Sequence, residues 1–256
     1  MDFFGNTDIG KKRQTNQDSY CVHKLGENAI LLAVFDGMGG HAGGETASGL
    51  AREQFSQIVC DTFISKVNSE TGLVDATRTQ IYNILSKGAQ LANTAIFDTA
   101  KQAPELLGMG TTLAAVLING DNVYAVNVGD SRIYLVWKDE IKQLSHDHSY
   151  VQYLVDIGEI TEEEAKDNVN KNIITRAVGT SENLEVDTFV QTLDSAGVLL
   201  CSDGLSNLVD NTEIQAIFSE SASAKECVEK LIYAANSRGG TDNITAVVAG
   251  NFSQTV

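Results

Sequence analysis

Apolar residues along the chain fall into two rhythms, short unbroken runs and stripes at helical spacing, and their order predicts the layers of the fold. Ala29 to Phe35 is the clearest run. It reads as a buried strand, bounded after Asp36 by a glycine-rich turn, and a helix should follow. From Ala47 the apolar positions Leu50, Ala51, Phe55, Ile58 and Val59 recur at helical spacing, and a second stripe runs through Ile81, Ile84, Leu85, Ala92, Ala95 and Ile96. Two successive amphipathic helices account for them. Thr112 to Ile118, Val123 to Val128 and Ile133 to Trp137 then read as strands, separated by Asn119-Gly120-Asp121-Asn122 and by Gly129-Asp130-Ser131. Turns this short permit only antiparallel neighbours.

Residues 145 to about 180 are polar and irregular, with one short helical stripe at Val151, Leu154 and Val155, and read as a surface flap interrupting the strand-rich body. Two further strands, around Val186 to Val190 and Gly197 to Ser202, precede a helical stripe at Ala224, Cys227, Val228, Leu231, Ile232 and Ala235. Ile244 to Ala249 closes the pattern as a strand. Meandering strands alternating with helix pairs argue for antiparallel sheets covered by helices, an α+β arrangement. With a single proline, Pro104, no low-complexity linker and no internal repeat, residues 1–256 are expected to form one domain.

Composition narrows the partners. The 34 Asp and Glu against 18 Lys and Arg give a net charge of −16, which repels nucleic acid and anionic membrane surfaces. Neither is expected as a partner. The four cysteines, Cys21, Cys60, Cys201 and Cys227, stand far apart and form no C-x-x-C pair, which fits a reducing cytosol rather than a zinc or redox site. The segment Met1-Asp2-Phe3-Phe4-Gly5 lacks the basic start and apolar core of a signal peptide, and no run approaches the roughly 18 apolar residues of a bilayer span. A soluble, cytoplasmic monomer is the expectation.

The candidate chemistry lies in five aspartates at strand ends: Asp18 before a strand, Asp36 after one, Asp130 in a tight turn, Asp203 after a strand and Asp242 before one. For any one of them, ordinary Asp-Gly or Asp-Asn turn chemistry is the simpler reading. The apolar runs beside Asp36, Asp203 and Asp242 weaken it, because a carboxylate next to the core loses hydration and repels its neighbours unless cations neutralise it. Oxygen-only ligands suit Mg²⁺ or Mn²⁺. Gly37 lets the backbone approach whatever Asp36 binds and leaves its carbonyl available as a ligand. Two cations about 3.5–4 Å apart can activate a water in line with a phosphorus atom and neutralise charge in the transition state. Arg13, in the polar segment Thr7 to Arg13, is a candidate for bidentate phosphate binding.

Six segments together carry a resemblance: Arg13-Gln14-Thr15-Asn16-Gln17-Asp18, Val34-Phe35-Asp36-Gly37-Met38-Gly39-Gly40-His41, Gly110-Thr111-Thr112, Val128-Gly129-Asp130-Ser131-Arg132, Cys201-Ser202-Asp203-Gly204-Leu205 and Gly240-Thr241-Asp242-Asn243. In this order and spacing the chain resembles, over nearly its whole length, the metal-dependent (PPM, or type 2C) Ser/Thr protein phosphatases, most closely their short bacterial members. The resemblance implies a four-layer αββα sandwich of two antiparallel sheets flanked by helix pairs, with a binuclear metal centre at one end. It implies that Asp36 bridges two Mn²⁺ or Mg²⁺ ions, joined on one of them by the Gly37 carbonyl. By the same resemblance Asp203 and Asp242 would complete the other, and Asp18 would act through metal-bound water. Asp130 with Asp203 would hold a weaker third ion, and Arg13 would bind the substrate phosphate. Phosphoproteins are the implied substrates, with a Hanks-type Ser/Thr kinase as the opposing enzyme.

Two positions depart from the family pattern. Some members have a histidine directly after the Asp-Gly pair, proposed as general acid, where this chain has Met38; His41 is the nearby candidate, against a structural role in the glycine-rich turn. In the flap, Asp147-His148-Ser149 and Ile174-Thr175-Arg176 match bacterial relatives, while Asn168-Val169 replaces a His-Pro pair. Three competing readings remain. Gly37 to Ala42 also fits the G-x-G-x-x-A fingerprint of dinucleotide-binding folds, but Asp36 at the strand tip would face a pyrophosphate and the later hairpins do not continue a doubly wound sheet. A pseudophosphatase that only binds partners would be favoured by loss of a metal aspartate, and none is lost. His146-x-His148 could be half of a zinc site, against a plain polar loop. The run Glu162-Glu163-Glu164 reads as an exposed helix start favoured by the helix dipole.

Overall fold

The computed structural model describes residues 1–252, and for residues 40–42 the backbone alone. Its strands in chain order are β1 (Asp2–Asp8), β2 (Asp18–Gly26), β3 (Ala29–Met38), β4 (Gly110–Thr111), β5 (Leu113–Asn119), β6 (Asn122–Val128), β7 (Arg132–Val136), β8 (Ile141–Gln143), β9 (Asp187–Thr192), β10 (Gly197–Cys201) and β11 (Ile244–Gly250). The helices are α1 (Gly40–Ile64), α2 (Arg78–Gln102), α3 (Tyr150–Asp156), α4 (Glu162–Lys166), α5 (Asp203–Ser206), α6 (Asn211–Ser219) and α7 (Ala224–Ser237). One sheet runs β1-β11-β10-β7-β8 and the other β2-β3-β5-β6-β9, with β4 on the end of β3. Every strand pairing in both sheets is antiparallel.

The near-continuous apolar strands are explained by burial on both faces. Along β3, Leu31, Ala33 and Phe35 pack under α1 and α2, while Ile30, Leu32 and Val34 face the opposite sheet. In the other sheet Leu199 and Cys201 of β10 turn toward α6 and α7, and Val198 and Leu200 turn inward. Three apolar layers therefore separate four layers of secondary structure, the αββα sandwich. Among the described residues no helix is long and apolar enough to cross a membrane. The four cysteines are buried and free.

The glycine-rich turn after Asp36 is shorter than expected. β3 continues through Met38 and α1 begins at Gly40, leaving Gly39 alone between them, at φ 122°. A left-handed φ there favours glycine. Close packing explains the rest, since a Cβ on Gly37 would sit 2.1 Å from the Gly44 carbonyl oxygen in the first turns of α1. Antiparallel sheets with this strand order also exclude the doubly wound architecture that the G-x-G-x-x-A reading requires. The flap carries two short helices, α3 and α4. Thr161 and Glu164 form a reciprocal capping box at the start of α4, as the Glu162-Glu163-Glu164 run anticipated.

Candidate metal centre

Continuing the alternation of β3 and β2 beyond the apolar filling places the first aspartates. After Ile30, Leu32 and Val34 the next inward position is Asp36; before Val22 and Tyr20 it is Asp18. The two stand directly opposite each other in the β2–β3 register. Like charges in that position repel. From the other sheet, β10 ends at Cys201 and hands Asp203 to the start of α5, while Asp242 precedes β11. Asp130 lies in the turn from β6 to β7, which carries the chain from one sheet to the other, so the antiparallel pairing expected across Gly129-Asp130-Ser131 does not form. All five predicted aspartates thus gather at one end of the sandwich, with Asp36, Asp203 and Asp242 partly open to solvent and Asp18 and Asp130 buried.

Backbone and hydroxyl groups hold these side chains. The Asp36 N–H donates to Thr112 Oγ1 at 2.9 Å, and the Asp36 carbonyl accepts from the Thr112 N–H and the Thr111 hydroxyl, each at 2.9 Å. Thr112 Oγ1 also lies 2.7 Å from Ser131 Oγ, beside Asp130. The Gly110-Thr111-Thr112 segment therefore ties the Asp36 and Asp130 positions together. Asp18 Oδ2 accepts from the hydroxyls of Ser202 at 2.8 Å, just after β10, and Thr245 at 2.6 Å, within β11 of the opposite sheet. Asn243 Oδ1 accepts from the Gln17 N–H, and its amide donates to the carbonyls of Ile9 and Thr15. One buried asparagine next to Asp242 thereby shapes the loop that carries Arg13. Asn243 belongs to the Gly240-Thr241-Asp242-Asn243 segment, but its role is not legible there; the available signal is a polar residue directly after Asp242 at the mouth of the apolar strand beginning at Ile244.

The electrostatics of the cluster are those of carboxylates short of counter-charge. Burial pushes the Asp18 carboxyl up to about 6, with Asp203 and Asp242 adding to the rise. Asp203 is pushed up to about 6 by burial and by Asp242, while Asp36 lies within hydrogen-bonding reach of it. Asp36 is raised well above the ordinary range by burial and then by Asp18, Asp203, Asp130 and Asp242. Asp130 is likewise raised by burial and by Asp203, and its Oδ1 is buried without a hydrogen-bond partner. Close carboxylates that resist ionisation, one with an orphaned oxygen, are the donor set a hard divalent cation would satisfy. The residues fit the expected group. Among the described residues no three His, Cys, Asp or Glu side chains already close into a cage.

Arg13 reaches this cluster from outside. Its guanidinium is about half exposed and lies 2.7 Å from Asp242 Oδ2, and that hydrogen bond raises its pKa further. A cleft of about 720 Å³ opens on the Asp130 and Asp203 side, between the flap helices and the start of α6. His41, the candidate general acid, lies outside the described side chains. The histidines of the flap take separate partners: His146 Nε2 is 2.9 Å from Asp156, and the buried His148 is 3.1 Å from Asp187. A shared zinc site does not follow from that arrangement. Arg176 is engaged by Asp187 at 2.6 Å and Glu185 at 3.3 Å.

An αββα sandwich whose end gathers five carboxylates and one arginine belongs to the class of metal-dependent hydrolases acting on phosphate esters. The chain belongs to the protein phosphatase 2C family, whose description matches residues 8–237. It is 40% identical over 245 residues to the serine/threonine phosphatase stp of Listeria welshimeri, covering 94% of this chain and 92% of that protein. Among solved structures it is similar to a bacterial serine phosphatase, with a TM-score of 0.87, 31% identity and complete coverage of both chains. It is also similar to the catalytic domain of the serine/threonine protein phosphatase PstP in complex with two manganese ions, with a TM-score of 0.82, 34% identity and 98% coverage of each chain.

Proposed function

We infer that this chain is a metal-dependent protein serine/threonine phosphatase, hydrolysing phosphoserine and phosphothreonine monoesters with a binuclear Mn²⁺ or Mg²⁺ centre. The observation that carries the reading is the convergence of carboxylates from both sheets on one end of the sandwich, with raised pKa values and the orphaned Asp130 Oδ1. When bound, the cations supply Lewis acidity, making water nucleophilic near neutral pH and offsetting charge on the transferred phosphoryl group. In this reading Asp36, the Gly37 carbonyl, Asp203 and Asp242 hold two ions, and Asp18 acts through water. Asp130 with Asp203 holds a third. Arg13 exchanges Asp242 for the substrate phosphate, orienting the ester with its planar fork. His41 is carried forward as the candidate proton donor to the leaving serine or threonine oxygen.

The reading extends to residues 1–256 acting as one catalytic unit with the flap at 145–180, to phosphoproteins modified by a Hanks-type kinase, and to a monomer in the cytoplasm. Hydrolysis of a phosphothreonine peptide tests the core of it. Turnover is expected with Mn²⁺ and none with excess EDTA; full turnover in EDTA would overturn it.

A further inference from the structure

The flap leaves the body after β8 and returns before β9, so its connection to the cation site depends on how its two ends are anchored. Both anchors meet at His148, which is 7% exposed. On the outgoing side, its backbone N–H donates to the Gly129 carbonyl at 3.0 Å, and its ring Nδ1 accepts from the Gly129 N–H at 3.0 Å. A ring nitrogen that accepts carries no proton, so a neutral ring carries its proton on Nε2. That atom faces Asp187 Oδ2 at 3.1 Å, and Arg176 Nη1 lies 3.0 Å from it; since a guanidinium only donates, the Nε2 proton goes to Asp187, which Arg176 also holds. On the returning side, the His148 carbonyl accepts from the Thr175 N–H at 2.8 Å, and Ser149 forms a bridge pair with Ile174. Arg176 donates to the other oxygen of Asp187 at 2.6 Å.

Gly129 immediately precedes Asp130 and lies between the end of β6 and the start of β7. Its N–H and carbonyl both find partners in His148. Were the ring unable to accept, a buried N–H would lose its partner, and the turn would relax before any packed core residue moved.

We propose that His148 is a positioning residue that couples the flap base to the Asp130 carboxylate, its Nδ1 holding the Gly129-Asp130 turn in the geometry that aims Asp130 at Asp203. The proposal rests on the reading of Asp130 as ligand to a third, weaker cation. Coupling of this kind is reciprocal: closing the flap base favours the ion, and the ion favours the closed base.

The test uses amide side chains that divide the two functions of the ring. His148→Asn presents its Oδ1 near the place of Nδ1 and gives up Asp187; His148→Gln reaches toward Asp187 and offers no acceptor to Gly129. Mn²⁺ binding to the full chain is followed by calorimetry and by electron paramagnetic resonance of free Mn²⁺, with Asp130→Asn as reference. His148→Asn should keep weak-site affinity within about threefold of wild type, whereas His148→Gln should lose roughly tenfold, with the tight sites unchanged. Equal losses in both variants, or wild-type affinity in His148→Gln, overturn the proposal. In the wild-type protein, hydrogen exchange of residues 127–131 and 147–176 should slow together as the weak site saturates; unchanged exchange there overturns it without any variant. If Asp130→Asn leaves the Mn²⁺ stoichiometry intact, the assignment of Asp130 fails and the coupling with it. Loss of the weak site in Asp130→Asn with retention in His148→Gln sinks the coupling alone.

Discussion

Replacing Asp18 by asparagine should make the metal-free protein more stable while weakening its response to cations. Asp18 is buried opposite Asp36, and its carboxyl is raised from 3.8 to about 6. A shift of about two units corresponds to about 3 kcal/mol of penalty on the ionised folded state. The sign follows from protonation. Below about 3.8 the group is neutral in folded and unfolded chains alike and costs nothing, and above about 6 it is ionised in both and the full cost applies. Stability from this group is therefore lost as pH rises from about 4 to 6. Asparagine removes the charge and keeps an oxygen to accept the Ser202 and Thr245 hydroxyls. Allowing for the new amide hydrogens, which need partners, the gain at pH 7 should be about 1–3 kcal/mol, or roughly 3–10 °C in melting temperature for a chain of this size. Calorimetry in EDTA at pH 7 and pH 4, repeated with saturating Mn²⁺, measures it. The variant should melt higher than wild type in EDTA at pH 7, equally at pH 4, and gain less from Mn²⁺. A variant less stable than wild type in EDTA at pH 7 would refute the electrostatic account.

Asp36→Asn and Asp242→Asn should each lower kcat by about 10²-fold or more and weaken Mn²⁺ binding, as single-turnover assays and metal titration would register. Arg13→Ala should raise KM for a phosphopeptide with cation affinity nearly unchanged, and Arg13→Lys should recover only part of the loss, because a single ammonium cannot reproduce the bidentate fork. Asn243→Ala removes the side chain that pins the Ile9, Thr15 and Gln17 backbone; it should cost about 2–4 kcal/mol in denaturant unfolding and raise KM in the same direction as Arg13→Ala.

The strands buried on both faces were legible because their apolar runs are uninterrupted, and α1, α2 and α7 because their stripes keep helical period. β1 was not, since Asp2–Asp8 mixes polar and apolar residues and its place beside β11 is set by pairing across the whole chain. α6 also escaped: its Ile214 and Phe218 are too few to stand out, and Asp210 as its cap is a tertiary detail. The five aspartates were legible from their strand-end positions, but the directness of the Asp18–Asp36 opposition depends on strand register. The Arg13–Asp242 pair joins residues 229 apart in sequence. His148 reads in sequence as one histidine of a polar loop; only the fold sets its ring between the Gly129 turn on one side and Asp187 with Arg176 on the other.

The way the acidic end is held explains why it should demand cations rather than merely tolerate them. Neutral hydroxyls position the carboxylates across the seam between sheets: Ser202 and Thr245 on Asp18, Thr112 and Ser131 between the backbone of Asp36 and the Asp130 turn. Such donors fix geometry without cancelling charge. The partly buried guanidinium of Arg132 is turned to Asp147 at 2.7 Å, and among the ion pairs of the described residues Arg13, at the solvent edge, pairs with Asp242 alone. An apolar core on one side and a rigid, under-neutralised carboxylate cluster on the other leave the folded chain carrying electrostatic strain at this end. Divalent cations relieve that strain, so the energy that makes the metal-free site unfavourable is also the source of its affinity, and the charge needed for phosphate chemistry is supplied only when the site is filled.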